Sequence, residues 1–278
     1  MLGALIIVFR EVIEAGIIVG ILLAVTKGVP GRGRWIAAGV AAGIAGAALL
    51  AVFADEISHA LAGVGQELFN ASVLAIAVVM LAWHNIWMAR HGRELAAQMQ
   101  EVGAAVAKGS RSLAAVAIVV AVAVLREGSE IVLFLYGLVI AGGASTSGLV
   151  AGGLIGLALG CGVSTLTFLG LVRIPGRYLF GVTTVLITFL AAGLAAQSVV
   201  FLQQAGIVTA LEGTMWDTSA ILSDSSLLGR VLHTLIGYTD QPSGMQLLVY
   251  SVTLIVIFGL TKAFAPHSPA KRPMAVGR

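Results

Sequence analysis

The sequence predicts an all-α integral membrane protein of seven transmembrane helices, and three observations carry that prediction. Of the 278 residues, 59% are hydrophobic and 10% charged, with 35 glycines and a mean hydropathy of +1.02, which lies outside the range of soluble globular chains. The apolar residues gather into windows long enough to cross a hydrocarbon core of about 30 Å, and none of these windows alternates with the period of a barrel strand. One charged pentad also occurs twice, as Arg10-Glu11-Val12-Ile13-Glu14 and Arg126-Glu127-Gly128-Ser129-Glu130, each time in the middle of such a window.

The first window, 2–26, holds Arg10, Glu11 and Glu14 where a signal peptide would have its apolar core. It lacks a basic leading region and reads as a retained helix. The second, 35–54, contains Gly39-xxx-Gly43, small residues four apart that let helix backbones approach. The third, 67–88, carries His84 with Met80 and Met88 on either side, a stripe that suits either metal ligation or core packing. The fourth, 113–141, holds the second pentad and Tyr136. The fifth, 148–171, repeats Gly148, Gly152, Gly156 and Gly160 and contains the single Cys161, which excludes a disulfide within the chain and suits packing. The sixth, 178–203, contains Gln197, and the seventh covers 245–263. Between the last two lies a long loop, 204–244, whose apolar run Leu227-Leu228-Gly229-Arg230-Val231-Leu232-His233 suits an interfacial helix.

The pentads lie 116 residues apart, and Leu68-Phe69-Asn70 opens the third window much as Leu179-Phe180-Gly181 opens the sixth. Helices one to three and four to six therefore read as two inverted three-helix repeats, with a seventh helix added. On this reading residues 1–263 form one transmembrane domain: repeat one over 1–88, repeat two over 113–203, an outer loop over 204–244 and helix seven over 245–263. A basic cytoplasmic tail follows over 264–278. Thirteen of the sixteen Lys and Arg residues fall on one side, which the positive-inside rule makes cytoplasmic, so the N-terminus is expected outside and the C-terminus inside. Asp55, Glu56, Glu67, Glu212, Asp217, Asp224 and Asp240 would then lie outside, either as solvated loop residues or as a field that concentrates cations.

Ionisable groups at membrane depth cost about 2.5–3.5 kcal/mol each on insertion scales, so six in two segments call for partners, water or a ligand. At about 100° per residue, Glu11 and Glu14 share one helix face with Arg10 beside them, and Glu127, Glu130 and Arg126 repeat the arrangement. Packed antiparallel, the two helices would bring four carboxylates and two guanidiniums together. Such a set suits a hard or borderline cation such as iron or manganese, with the arginines as internal counter-ions. A pair of salt bridges that only fixes helix packing would need one acid per Arg, which leaves the second acid of each pentad unexplained.

The two Arg-Glu-x-x-Glu pentads resemble those of the oxidase-dependent iron permease family, which takes in fungal high-affinity iron permeases and bacterial EfeU-like transporters. The likeness extends to Ala191-Ala192-Gly193-Leu194-Ala195-Ala196-Gln197, to Trp216-Asp217-Thr218-Ser219 and to Gly237-Tyr238. In that family the pentad usually reads Arg-Glu-Gly-Leu-Glu; here Val12-Ile13 and Ser129 depart from it while every charged position is kept. The resemblance implies iron import across the cytoplasmic membrane, with Glu11, Glu14, Glu127 and Glu130 as metal ligands and Arg10 and Arg126 as supporting counter-ions. His84, Tyr136, Gln197, Asp55, Glu56 and Asp217 are weaker pathway candidates. It also implies ferric ion supplied by an external ferroxidase or periplasmic delivery protein, with iron as cargo and no bound redox cofactor. A proton-coupled carrier for another divalent metal such as manganese, and a non-transporting membrane iron sensor, are the alternatives. No enzyme is expected, since the histidines do not make a His-Glu-x-x-His pattern.

Overall fold

In hydrocarbon the backbone must satisfy its own hydrogen bonds, so each apolar window closes into a helix. The structure, a computed structural model, describes residues 1–60, 65–141, 145–170 and 176–264, with the side chains of 54–60, 89, 92, 93, 176–180 and 227 outside the description. Among the described residues eight helices run in chain order: α1 Leu2–Val25, α2 Arg32–Ala60, α3 Gln66–Ala107, α4 Leu113–Ile140, α5 Thr146–Phe168, α6 Gly176–Gln204, α7 Leu227–Ile236 and α8 Gly244–Phe264. Ser145 caps α5 by accepting from the Gly148 N–H at 3.2 Å, and Ser226 caps α7 by accepting from the Gly229 N–H at 2.9 Å. The third helix runs on past its apolar window to Ala107 because the segment after Met88 is rich in Ala, Glu, Gln and Met, with no proline to stop it. Met99 and Val106 on that extension pack with Ile18 and Leu22 of α1, Ile36 of α2 and Val116 and Val120 of α4.

The expected arrangement of seven spans in two inverted three-helix repeats with a seventh helix is corrected by this structure. Among the described residues five helical segments are long and apolar enough to cross a membrane: Arg32–Phe53, Gln66–Met88, Thr146–Phe168, Gly181–Gln204 and Gly244–Phe264. The charges of the pentads set α1 and α4 apart from these five, and α7, with 10 residues, is too short to span. Nor do α1–α3 and α4–α6 form separate units. The principal pairings are α1 with α5, α2 with α4 and α3 with α6, each joining one expected repeat to the other. The opposite placement of the two termini, built on those seven crossings, falls with them. The basic tail beyond Phe264 lies outside the described residues.

The small-residue stripes explain the pairing. A Cβ built on Gly156 would stand 2.6 Å from the Leu5 carbonyl oxygen, and one on Gly160 would stand 2.8 Å from Val12, so α5 lies against α1 and parallel to it. A Cβ on Gly39 would reach the Ala117 carbonyl oxygen at 2.5 Å and one on Gly43 the Ala121 carbonyl oxygen at 2.8 Å, which sets α2 against α4 in the same way. Close backbone approach is what drives helix association where lipid removes the hydrophobic incentive. A second core, around Leu74, Leu81, Phe134, Ile187 and Leu190, ties α3 to α4 and α6.

Gly156→Val is expected to destabilise the folded protein by about 1–3 kcal/mol, since the backbone it meets cannot yield. Gly162→Ala on the same helix, where an added Cβ meets nothing within 4 Å, is expected to be near neutral. Thermal unfolding of the detergent-solubilised variants checks the pair.

Candidate metal centre

The i, i+3 and i, i+4 spacings of the pentads place each set of charges on one helix face, and the packing turns the two faces together. A Cβ on Gly3 of α1 would lie 3.1 Å from Leu138 of α4, while Ile18 and Leu22 cluster with Val116 and Val120, so α1 and α4 run antiparallel. Arg10 Nε donates to Glu14 Oε1 at 2.9 Å, and both side chains are buried. Arg126 Nε donates to Glu130 Oε1 at 3.3 Å and stands 3.9 Å from Glu127 Oε1. The two arginines differ in surroundings: the Arg10 side chain is 2% exposed, whereas that of Arg126 is 36% exposed and stacks with Cζ 4.4 Å from the Trp87 ring centre.

His84, from α3, lies between the two clasps. Its Nε2 is 3.3 Å from Glu14 Oε2, and its Nδ1 contacts Glu130 Oε2. The Nδ1–Oε2 contact is an ion pair, and neither atom has a further hydrogen-bond partner among the described residues. One donor atom from each of Glu11, His84, Glu127 and Glu130 lies within 4.8 Å of the others, and all four residues are buried. Both Glu11 oxygens, Glu14 Oε2 and Glu127 Oε2 have no hydrogen-bond partner among the described residues, nor do Arg10 Nη1 and the two amide atoms of Asn85. Each such buried group costs about 1–3 kcal/mol, and more when charged, unless something satisfies it. As a formal count, four ionised carboxylates against two guanidiniums and a neutral His84 would carry two net negative charges. Oxygen and imidazole donors of this kind suit a first-row divalent metal.

Glu11 and Glu127 also line a cleft of about 570 Å³ between α1, α2, α4 and α5, whose remaining walls are almost wholly apolar and include Ala48, Leu154 and Cys161. Cys161 is exposed there instead of packed inside.

The other sequence candidates lie elsewhere. Gln197 lines a cavity of about 20 Å³ with Leu138, Gly193, His233 and Thr234, where α4 and α6 meet α7. Tyr136 is half-buried further along α4, and Met80 packs against the core around Leu81 and Phe134. Asp217 is exposed in the loop before α7. Its Oδ1 accepts from the Ser219 N–H at 2.9 Å and the Ser219 hydroxyl at 2.6 Å, and its Oδ2 accepts from Gln241 at 2.9 Å, bonds that hold its carboxyl below the usual range. The side chains of Asp55 and Glu56 lie outside the described residues. Sequence reasoning passed over Asn85 and Trp87. A buried amide beside His84 and an aromatic three positions further on leave no signal in one sequence, because the residues they meet are remote in the chain.

The motifs outside the pentads prove to be joints. Gly237, with φ of 69°, ends α7 in the left-handed region, and a Cβ on it would stand 2.8 Å from the Cα of Gly193 on α6. Tyr238 shares a 2.6 Å hydrogen bond with the Thr218 hydroxyl and donates to the Leu222 carbonyl at 2.8 Å. Asp224 and Asp240 each accept from the other's backbone N–H, at 3.2 and 3.1 Å. Burial pushes the Asp224 carboxyl up.

Comparison with known proteins agrees with this geometry. Residues 1–265 match the iron permease FTR1 family. The chain belongs to that family. It is 33% identical over 255 residues to the ferrous iron permease EfeU of Escherichia coli O6:K15:H31 (strain 536 / UPEC), covering 90% of this chain and 91% of that protein. The same figures hold for ferrous iron permease EfeU of Shigella sonnei (strain Ss046), and that of Shigella flexneri is 32% identical over 212 residues, covering 75% of this chain and 88% of its own. No solved structure matches the chain. As an iron permease of this family, the protein is a multi-pass inner-membrane transporter and not an enzyme, and iron as the transported substrate agrees with its membership.

Breaking the two clasps should have unequal effects. Arg10→Met leaves Glu14 as a buried charge without its guanidinium and is expected to destabilise by about 3–5 kcal/mol. Arg126→Met removes a guanidinium that is 36% exposed and holds its acid by the longer 3.3 Å bond, and is expected to cost less. Thermal unfolding in detergent compares them. In the loop, a depressed Asp217 pKa contributes stability that is complete at neutral pH and is lost only as pH falls below the ordinary carboxylate range. Ser219→Ala is expected to move the Asp217 titration midpoint upward in NMR spectra of carboxyl-labelled protein.

Proposed function

We propose that iron crosses the membrane by way of the centre between α1, α3 and α4, bound in transit by Glu11, Glu127, Glu130 and His84. The observation that carries this reading is the buried convergence of those four donors within 4.8 Å, several of them without another partner. Arg10 holds Glu14, Arg126 holds Glu130, and Glu14 in turn faces the His84 ring, so the clasps keep the donors oriented without supplying competing ligands. We take the ferrous ion as the transported form. The relatives named above are ferrous iron permeases, which supports the same form. Ferric ion handed over by an external oxidase or delivery protein, which the motif resemblance implies, is the competing form of the substrate.

Accumulation of radioactive iron in proteoliposomes tests this, with iron supplied in turn as ferrous ion and as chelated ferric ion. Ferrous iron is expected to accumulate, and Glu14→Ala/Glu130→Ala to abolish accumulation; His84→Ala is expected to weaken the apparent affinity at least about tenfold. Unchanged uptake by the folded double variant would sink the assignment. Uptake confined to chelated ferric iron would overturn the divalent reading, and manganese accumulating in preference to iron would overturn the choice of metal.

A further inference from the structure

The cleft of about 570 Å³ between α1, α2, α4 and α5 has a property that iron passage does not use. Its volume falls within the roughly 300–1,000 Å³ of small-molecule sites, and it has their character: apolar walls with a few convergent polar groups. Those polar groups are Glu11, fully buried with neither carboxylate oxygen partnered, and Glu127, 3% exposed with Oε2 unpartnered. The walls are aliphatic: Val8, Val12, Ile44, Val124 and Leu154 line the cleft, and Ile44 and Leu154 are 58% and 61% exposed.

A lipid does not complete this site. Glu11 lies near the middle of α1, far from the level of a headgroup, and an acyl chain would cover the walls while leaving two carboxylates against hydrocarbon. A hydrated metal ion matches the carboxylates but not the walls. The complement of both is one molecule with an apolar body and a positive charge shielded within it. We infer that the cleft between α2 and α5 is a binding site for hydrophobic organic cations, with the charge set against Glu11 and Glu127 and the body against the aliphatic walls. A cation seated there shares two carboxylates with the metal centre, so such compounds compete with the transported ion.

The test is equilibrium binding of radiolabelled tetraphenylphosphonium to the full chain in nanodiscs, with empty nanodiscs as background and tetraphenylborate as an anion of the same shape. Saturable binding of the cation near one per chain is expected, with no saturable binding of the anion. Glu11→Gln/Glu127→Gln is expected to weaken cation binding at least about tenfold. Ala48→Trp, which fills the cleft from exposed Ala48 on α2 without touching a carboxylate, is expected to abolish it in protein with unchanged gel-filtration behaviour. Cation uptake no greater than that of empty nanodiscs, equal saturable binding of the anion, or undiminished binding by folded Ala48→Trp would each overturn the inference. The readout requires no iron, so its failure and a failure of the transport reading are separate results.

Discussion

Four carboxylates buried at the middle of a membrane bundle set the terms for the rest of this structure. Each would be expelled or neutralised if left alone in hydrocarbon, and the fold meets that constraint from three directions. Two guanidiniums clasp Glu14 and Glu130 from within the same helices. His84 is inserted between those two acids from α3. What remains, chiefly Glu11 and one oxygen of Glu127, is left without a partner. A buried carboxylate with no hydrogen-bond partner is costly unless something satisfies it. Membership of an iron permease family says what kind of ligand to test there first.

Holding α1 and α4 at the right separation is the work of the helices flanking them. Glycine stripes bring α5 against α1 and α2 against α4 at backbone contact. This places the two charged helices in the interior with their acids facing each other, while α3 and its neighbour α6 close the side that supplies His84. The pairing also exposes much of α2 and α5 to lipid, including Leu49, Leu50 and Leu159, as the absence of any hydrophobic penalty in a bilayer permits. The loop before α8 is fixed by different means: a helix end at Gly237 pressed on Gly193, and hydrogen bonds among Thr218, Tyr238, Asp224 and Asp240.

The legible part of this architecture is what rests on local pattern. Apolar windows marked stretches that do become helices, the pentad spacing put Glu11 and Glu14 on one face, and the run at 227–233 marked the short α7. Glycines four apart announced close contacts without saying with what, and the expectation of self-contained three-helix units failed there, because the partner of α1 is α5 from the other half of the chain. The importance of His84 was half visible. A methionine on either side made it look as much like core as ligand, and Met80 does pack in the core. Only the tertiary fold shows that the ring faces Glu14, 70 positions away in sequence.

The two pentads show how far identical charge patterns can diverge once packed. Both carry Arg and Glu at i and i+4 with another Glu between them, and both form the same clasp. Yet Arg10 is sealed in the interior with one guanidinium nitrogen unpartnered, while Arg126 reaches the surface and lies on the Trp87 ring. The sealed arginine works at low dielectric, where its charge is felt strongly by every neighbouring acid. The exposed one lies on the Trp87 ring and holds its acid at 3.3 Å, against 2.9 Å for Arg10. Glu130 is accordingly the more loosely held of the two clasped acids. It is also the clasped acid that belongs to the four-donor cluster, whereas Glu14 does not. The weaker clasp thus sits on the clasped acid that joins the cluster, holding its Oε1 and leaving Oε2 without a hydrogen-bond partner among the described residues.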